Sequence, residues 1–275
     1  MFKKPQKPAT RPAKNSTRRP MRGSSKPSSK TSWGGVSHWY SDLVGESGHY
    51  YHQHLILPKL LKLLNLKPED SLLDMACGEG VVERAISPEQ KYLGVDIADG
   101  LLKQARQKAK SPQHRFMLGN LARPITLPEQ YSKAVCVLAL QNMTDGKQCI
   151  QNASKALKKD ARFIIVLNHP CFRIPRQTSW ETDQKNKLQY RRINRYFSDL
   201  EIPIQMSPGK KQGQVTWSYH HPLSTYFSWL KQSGFVVEDC QEWVSDKESQ
   251  GKAAKMENRA RTEIPLFLCL VAKKI

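Results

Sequence analysis

The stretch that most constrains this chain is residues 71–80, S-L-L-D-M-A-C-G-E-G, where a short apolar run ends in an acid and a glycine-containing turn. Residues 71–75 are too few and too closely flanked by polar residues for a helix, and they suit a buried parallel strand. The apolar residues beyond Gly80 predict a helix. This order predicts the first unit of an open α/β sheet, in which the turn after the strand is a ligand-binding position.

Two kinds of ligand use such a turn, and the residues after it distinguish them. A dinucleotide site needs G-x-G-x-x-G, with the pyrophosphate on the helix N-terminus, whereas V-V-E follows Gly80 here. Glu79 and Glu83 would also bring negative charge to the position of a pyrophosphate. The turn therefore favours a cationic ligand without phosphate groups.

The run D-M-A-C-G-E-G resembles the first motif, D-x-G-x-G-x-G, of the class I S-adenosylmethionine-dependent methyltransferases, with Ala76 in place of the first glycine. The resemblance implies that Asp74 binds the ammonium group of S-adenosyl-L-methionine directly or through water. It also implies that the backbone of the turn runs alongside the methionyl part of the cofactor, which Ala76, Cys77, Gly78 and Gly80 contact. A plain strand-to-helix turn in another α/β protein is the alternative.

Residues 91–97, K-Y-L-G-V-D-I, predict a second buried strand that ends in Asp96. In the resembled family an acid at this place holds both ribose hydroxyls, through charge-assisted hydrogen bonds of about 1.5–3 kcal/mol each. Asp96 is therefore the expected ribose ligand, and Ile97 is expected against the adenine. A carboxylate that caps the next helix is the alternative, although Asp99 is better placed for that role.

The resemblance implies further cofactor contacts. Asn120 stands where the family often has an acid that accepts a hydrogen bond from the adenine amino group, and its amide can accept and donate. Residues 141–145 match the fourth motif, beside the transferred methyl group. In related enzymes the segment before the first strand often covers the cofactor. The remaining candidates are Leu121 and Leu140 and, from the segment before the first strand, Tyr40, Gly48 and Tyr51. For these last three residues, packing of an N-terminal helix on the sheet is the alternative.

The remaining periodicity predicts a Rossmann-like α/β domain over residues 33–275. The expected helices cover residues 52–66, 99–110, 148–157 and 223–232, and further strands cover residues 114–118, 133–140, 162–167, 235–243 and 264–272. With these elements the resemblance implies a seven-stranded, mostly parallel sheet with helices on both faces.

The regular alternation breaks over residues 168–222, where we expect a lid for the substrate that has its own helix or hairpin, because long structureless loops are uncommon. His169 is the candidate general base for a hydroxyl acceptor, with His220 and His221 as second choices. For each histidine a structural hydrogen bond is the alternative. An acidic substrate, a phosphate or a charged helix face on the lid would each explain the arginines of this segment: Arg173, Arg176, Arg191, Arg192 and Arg195.

The N-terminal residues 1–32 contain ten Lys or Arg and no Asp or Glu, and so carry half of the net charge of +20. Five prolines and few apolar residues predict a disordered basic tail. The tail lacks the apolar core of a secretory signal, and its prolines disfavour the helix of a transit peptide. Loose binding to RNA is one interpretation, and a solvated tail without a dedicated partner is the other.

Composition limits the remaining choices. No apolar run approaches the roughly 18–20 residues that span a bilayer. The six cysteines include no C-x-x-C pair, which predicts reduced thiols in a cytoplasmic protein. No His or Cys spacing indicates a required metal. The sequence leaves the oligomeric state open.

Together these features predict a methyltransferase that uses S-adenosyl-L-methionine, yields S-adenosyl-L-homocysteine, and methylates a small, partly aromatic molecule at O, N or C. The absence of N-P-P-Y argues against amino-methylation of DNA bases. The same chemistry on rRNA or tRNA is one alternative, motivated by the excess of Lys and Arg. A non-catalytic RNA-associated protein that retains the fold is the other.

Overall fold

The structure is a computed structural model that describes residues 49–128, 130–205 and 215–275. The basic tail, Tyr40 and Gly48 therefore lie outside the described residues. Within them the helices are α1 (Leu57–Leu64), α2 (Asp99–Lys108), α3 (Gly146–Ala156), α4 (Leu223–Gln232) and α5 (Ala254–Glu263). A π-helical turn, His52–Ile56, leads directly into α1.

The described strands, in chain order, are β1 (Ser71–Met75), β2 (Lys91–Asp96), β3 (Arg115–Leu118), β4 (Tyr131–Val137), β5 (Leu157–Asn168), β6 (Thr178–Asp183), β7 (Leu188–Ile193), β8 (Leu200–Gln205), β9 (Val215–His220), β10 (Phe235–Trp243) and β11 (Phe267–Lys274). Seven of them form one sheet in the order β10-β11-β5-β4-β1-β2-β3. The pairs among β1 to β5 are parallel, and β11 runs antiparallel to both of its neighbours. The predicted seven-stranded, mostly parallel sheet is confirmed.

The sheet is covered on both faces, as its apolar strands require. Adjacent residues of a strand point to opposite faces, so Leu72 packs with Leu60 of α1 in one apolar cluster. Leu73 packs in a second cluster with Ile150 of α3 and Leu230 of α4. Helices therefore bury both sides of the strands, and the strand ends remain as the place for a ligand.

The prediction of a helix after Gly80 is wrong. Only a single 3₁₀ turn, Glu83–Ala85, forms between β1 and β2. The side chain of Glu83 is buried, and its carboxylate accepts from the N–H of Lys110 at 2.9 Å and contacts His114 Nδ1 at 2.5 Å. The tertiary partners of this acid, with Pro88 close behind, hold the segment in a turn.

The expected lid segment contains two antiparallel hairpins, β6–β7 and β8–β9. Residues 206–214, between the strands of the second hairpin, lie outside the described part. Helix α4 begins and ends at the predicted residues, whereas α5 was not predicted from the sequence. No helix in the described ranges is long and apolar enough to cross a membrane.

Candidate active site

A cavity of about 470 Å³ opens at the carboxyl ends of the parallel strands. Its walls come from the turn after β1, the end of β2, the loop after β4, the end of β5 and the start of β11. The β8–β9 hairpin adds Ile204, Thr216 and Ser218. This is the ligand position expected for an open α/β sheet, and its volume falls in the range of about 300–1,000 Å³ typical of small-molecule sites.

The turn after β1 places its backbone beside this cavity. Ala76 and Gly78 both line it, with φ of 62° and 56°. A left-handed conformation is costly for a residue with a Cβ, and the N–H groups of Ala76 and Cys77 hold the turn by donating to the carbonyl of Val95 at 2.7 and 3.1 Å. Nothing lies within 4 Å of the place where Gly78 would carry a Cβ. A ligand can therefore approach the backbone there.

Asp96, at the end of β2, lines the cavity and is buried. Its Oδ2 accepts from the N–H of Gly78 at 2.9 Å, and its Oδ1 accepts from the N–H of Ala98 at 2.8 Å. Burial raises the pKa of Asp96, and these N–H groups act in the opposite direction. A carboxylate has about four acceptor positions, so Asp96 retains acceptor capacity on both oxygens. Ile97 lines the cavity beside it.

Asp74 is placed differently from the expectation. Its side chain is 1% exposed and is not part of the cavity wall. Strand alternation directs it to the face of Leu72, where the hydroxyl of Tyr92 donates to Oδ2 at 2.8 Å. Burial raises the pKa of Asp74 to about 7, with smaller contributions from Asp96 and Glu83. The structure thus gives this carboxyl group an internal partner and no direct contact with the cavity.

Five other predicted cofactor residues also lie outside the cavity wall: Cys77, Gly80, Asn120, Leu121 and Leu140. Cys77, Leu121 and Leu140 are buried, and the two leucines belong to the apolar cluster of Leu73. Gly80 faces α2, where an added Cβ would meet that of Ala105 at 3.4 Å. The side-chain oxygen of Asn120 accepts from the N–H of Ala122 at 3.0 Å. The adenine and methionyl contacts expected of these side chains are therefore not supported by their placement.

His169 does not reach the cavity either. Adjacent residues of an extended chain point to opposite sides; Asn168 lines the cavity, while His169 is buried beside β10. Its Nε2 lies 2.7 Å from Glu242 Oε1, and its Nδ1 accepts from the N–H of Cys171 at 3.2 Å. Burial lowers the pKa of His169, against the effect of Glu242. These contacts give it the structural role that was the alternative to a general base.

The second-choice histidines are also engaged elsewhere. His220 Nε2 lies 2.8 Å from the carbonyl oxygen of Tyr196. His221 Nδ1 lies 2.7 Å from Asp199 Oδ1. Neither residue lines the cavity.

The loop after β4 does face the cavity, through residues 137–139 and 141–143. Leu138 has φ of 51°, so a second backbone position beside the cavity is strained. Its carbonyl accepts from Gln141 Nε2 at 2.9 Å. Gln141 Oε1 is buried without a hydrogen-bond partner in the described structure, an arrangement that costs about 1–3 kcal/mol unless a ligand supplies a donor.

The segment before α1 forms another wall that the sequence indicated only through Tyr51. His49, Tyr51 and His52 all line the cavity, and the two imidazole rings lie 4.2 Å apart. His52 is 7% exposed, and its Nδ1 has no hydrogen-bond partner among the described residues. Burial lowers the pKa of His52 to about 3, with His49 adding to the effect. His52 therefore presents a neutral imidazole at neutral pH.

Comparison with known proteins places this site in a family. A family profile described as "Methyltransferase domain" matches residues 72–160, which include β1 to β4 and the turn at Gly78. Over 170 residues the chain is 25% identical to a 2-phytyl-1,4-naphtoquinone methyltransferase of a Nostoc species, covering 58% of this chain and 68% of that protein. The chain is a class I S-adenosylmethionine-dependent methyltransferase.

A second relative and a solved structure are also similar to this chain. A 2-phytyl-1,4-naphtoquinone methyltransferase of Trichormus variabilis is 28% identical over 174 residues, covering 58% of this chain and 68% of that protein. The solved structure of an S-adenosylmethionine-dependent methyltransferase from Mesorhizobium loti matches the methyltransferase with a TM-score of 0.62 at 22% identity. That match covers 84% of this chain and all of the other, and it shows that the two share a fold.

The residues of the cavity fit the cofactor that this family implies. The open backbone at Gly78, the remaining acceptor positions on Asp96 and the unpartnered Gln141 Oε1 belong to residues that line the cavity. No cluster of three or more His, Cys, Asp or Glu within the described ranges is placed to hold a metal ion.

Proposed function

We propose that this methyltransferase transfers a methyl group from S-adenosyl-L-methionine to a small, partly aromatic molecule. The observation that carries the proposal is that one cavity is lined both by Asp96 and Ile97 and, four strands away across the sheet, by Phe267, together with the β8–β9 hairpin. Such a cavity can hold a cofactor and an acceptor together. Its volume of about 470 Å³ suits small molecules better than a folded nucleic acid.

In this proposal the cofactor lies at the end of the cavity formed by β1 and β2. Asp96 accepts hydrogen bonds from the ribose hydroxyls with its remaining lone pairs, Ile97 packs against the adenine, and the backbone at Ala76 and Gly78 borders the methionyl part. The bound cofactor supplies an electrophilic methyl group on a sulfonium ion. The protein's contribution is to align the acceptor atom with this group and to exclude water.

An aromatic acceptor is supported by the walls at the other end. Tyr51, Phe267, Met143 and Ile204 give this end an apolar surface with aromatic rings, and the rings of Tyr51 and Phe267 meet edge to face at 5.6 Å. The related Nostoc and Trichormus proteins named above are naphtoquinone methyltransferases. We infer a cyclic acceptor of similar apolar character.

Calorimetric titration with S-adenosyl-L-homocysteine tests the cofactor site. Asp96→Asn is expected to weaken binding by roughly 10- to 100-fold, because it removes the charge from two hydrogen bonds to the ribose. Asp99→Asn, three residues along and exposed, is the matched control and should bind like the wild type. Since Asp96 also holds Gly78 and Ala98, melting temperatures must show that the variant is folded.

Ile97→Ala provides a second, independent variant. The apolar side chain of Ile97 forms no hydrogen bond to the turn, so its truncation should weaken binding only through lost apolar contact. Failure of the wild type to bind S-adenosyl-L-homocysteine, or equal binding by the wild type and Asp96→Asn, would contradict the proposed cofactor site.

A further inference from the structure

Arg173 is a cation in the cavity wall that has no acidic partner in the described part of the chain. The half-buried side chain lines the cavity, and its guanidinium lies 5.5 Å from the ring centre of Phe267. No ion pair joins it to a carboxylate within residues 49–128, 130–205 and 215–275. A desolvated charge of this kind is costly unless a counter-charge offsets it.

A second arginine adds to this local excess of positive charge. Arg191 is committed to structural hydrogen bonds, since its Nε and one terminal nitrogen donate to the carbonyl of Phe172 and to Thr178 Oγ1, each at 2.8 Å. Burial lowers the pKa of Arg173, and repulsion by Arg191 lowers it further. The two cations line a small pocket of about 130 Å³, and Arg173 lines both this pocket and the cavity. An anion beside Arg173 would relieve this repulsion.

The strand order shows at which end of the cavity Arg173 lies. Asp96 ends β2, whereas Phe267 begins β11, and β1, β4 and β5 lie between these strands. Four spacings of about 4.8 Å put roughly 19 Å of sheet between the two positions. Asp96 is the one acidic residue among the described residues of the wall. The cavity is therefore anionic at the proposed ribose site and cationic at the proposed acceptor end.

The other polar groups at the cationic end carry no negative charge. His52 is neutral with an unpartnered Nδ1, and Asn168 and Ser218 are neutral side chains of the same wall. Burial lowers the pKa of His49, and Arg173 and Lys247 contribute to the same effect. These groups can form hydrogen bonds with an anion without repelling it.

We propose that the acceptor of this methyltransferase is an organic acid or an ionised enol or phenol, whose anionic oxygen is bound by Arg173 at the β5–β11 end of the cavity. The inference rests on the proposed function and makes it more specific. Arg173 is assigned a role in substrate binding, and the oxygen that it holds need not be the atom that is methylated.

Paired aromatic acids and amides test this assignment. We would titrate 2-naphthoate and 2-naphthamide, and likewise benzoate and benzamide, into the protein with and without saturating S-adenosyl-L-homocysteine. Each acid should bind the wild type roughly 10- to 100-fold tighter than its amide, because the acid forms a charge-assisted pair with Arg173. In Arg173→Met this preference should disappear, and in Arg173→Lys part of it should remain.

Arg176→Met is the matched control, because Arg176 lies in the same segment, is exposed and does not line the cavity. It should keep the full preference for the acids. Melting temperatures establish that each variant is folded. Absence of acid binding to the wild type, or a preference that survives in Arg173→Met, would overturn the assignment.

The methionyl carboxylate of the cofactor is the other possible source of an anionic oxygen, and a separate arm detects it. If Arg173→Met bound S-adenosyl-L-homocysteine more weakly but bound 5′-methylthioadenosine, which lacks the carboxylate, as well as the wild type does, the acceptor assignment would be wrong. We expect both ligands to bind the variant normally. A wild type that bound neither adenosyl compound would instead contradict the proposed function, independently of the naphthoate result.

Discussion

Asp74 and Asp96 are both buried carboxyl groups at the ends of neighbouring strands, but their hydrogen-bond partners give them different chemistry. Asp96 is held by two backbone N–H groups, which stabilise its charged form. Asp74 has one hydroxyl partner, Tyr92, and burial raises its pKa to about 7. A group that is only partly ionised near pH 7 is a weaker anchor for an ammonium ion than a full carboxylate, and Asp96 is the one of the two that lines the cavity.

The raised pKa of Asp74 predicts a specific dependence of stability on pH. The unfolded chain has an ordinary pKa of 3.8 at this residue, whereas the folded chain keeps the proton up to about pH 7. Protonated Asp74 therefore favours folding at low pH, and this contribution is lost as the pH rises from about 4 to 7. Asp74→Asn stays neutral and can still accept a hydrogen bond from Tyr92, so its stability should not include this decrease with rising pH.

Urea denaturation at pH 5 and pH 8 measures this effect. The free energy of unfolding of Asp74→Asn, relative to the wild type, should increase from pH 5 to pH 8, with an upper limit of about 3 kcal/mol, because about two pH units separate pH 5 from the folded pKa of about 7. Asp99→Asn, at an exposed site, should follow the wild type. If Asp74→Asn and the wild type changed in parallel over this range, Asp74 would not have the raised pKa.

At the scale of secondary-structure elements, the β8–β9 hairpin lines the cavity at the end where we propose that the acceptor binds. Ile204 pairs with Thr216, and both line the cavity, whereas Trp217 points to the other face and is 41% exposed. The pleat therefore separates a cavity face from a solvent face on one short element. Changes on the cavity face should affect the acceptor and leave the cofactor alone.

Ile204→Trp tests the role of this hairpin. The larger side chain should occupy the acceptor end, so methyl transfer from radiolabelled S-adenosyl-L-methionine to a small-molecule cell extract should fall by about 100-fold. Affinity for S-adenosyl-L-homocysteine should stay within about twofold, because the proposed cofactor end lies over β1 and β2. Val215→Trp, at a 45% exposed position of the same hairpin, is the control. Equal transfer by Ile204→Trp and the wild type would contradict the placement of the acceptor.

For the whole molecule, the net charge of +20 is divided between the N-terminal tail and the rest of the chain. Removing residues 1–32 is expected to weaken binding to poly(U) and to flatten its dependence on salt, since each phosphate contact contributes about −0.7 to the slope for a single strand. Affinity for S-adenosyl-L-homocysteine should not change. The positive charge is the basis for expecting an RNA partner, and an unchanged salt slope would remove that basis.

Local patterns were sufficient to predict the framework of the fold. The apolar runs at β1 and β2, the turn at Gly78 and the limits of α4 were all read from neighbouring residues. The missing helix after Gly80 shows where this reasoning stops. Its sequence allows a helix, but the buried contacts of Glu83 with Lys110 and His114 favour a turn.

The sequence by itself determined the seven strands of the main sheet, the carboxylate at the end of β2 and the glycine-containing turn, because each depends on residues a few positions apart. Only the tertiary structure decided which side chains face the cavity. Strand alternation and packing put Asn168 there and His169 behind it, and they bring His52, Arg173 and Phe267 together from distant parts of the chain. Spacing along a sequence fixes backbone conformation locally, whereas a cavity is made by surfaces that meet only after the sheet has formed.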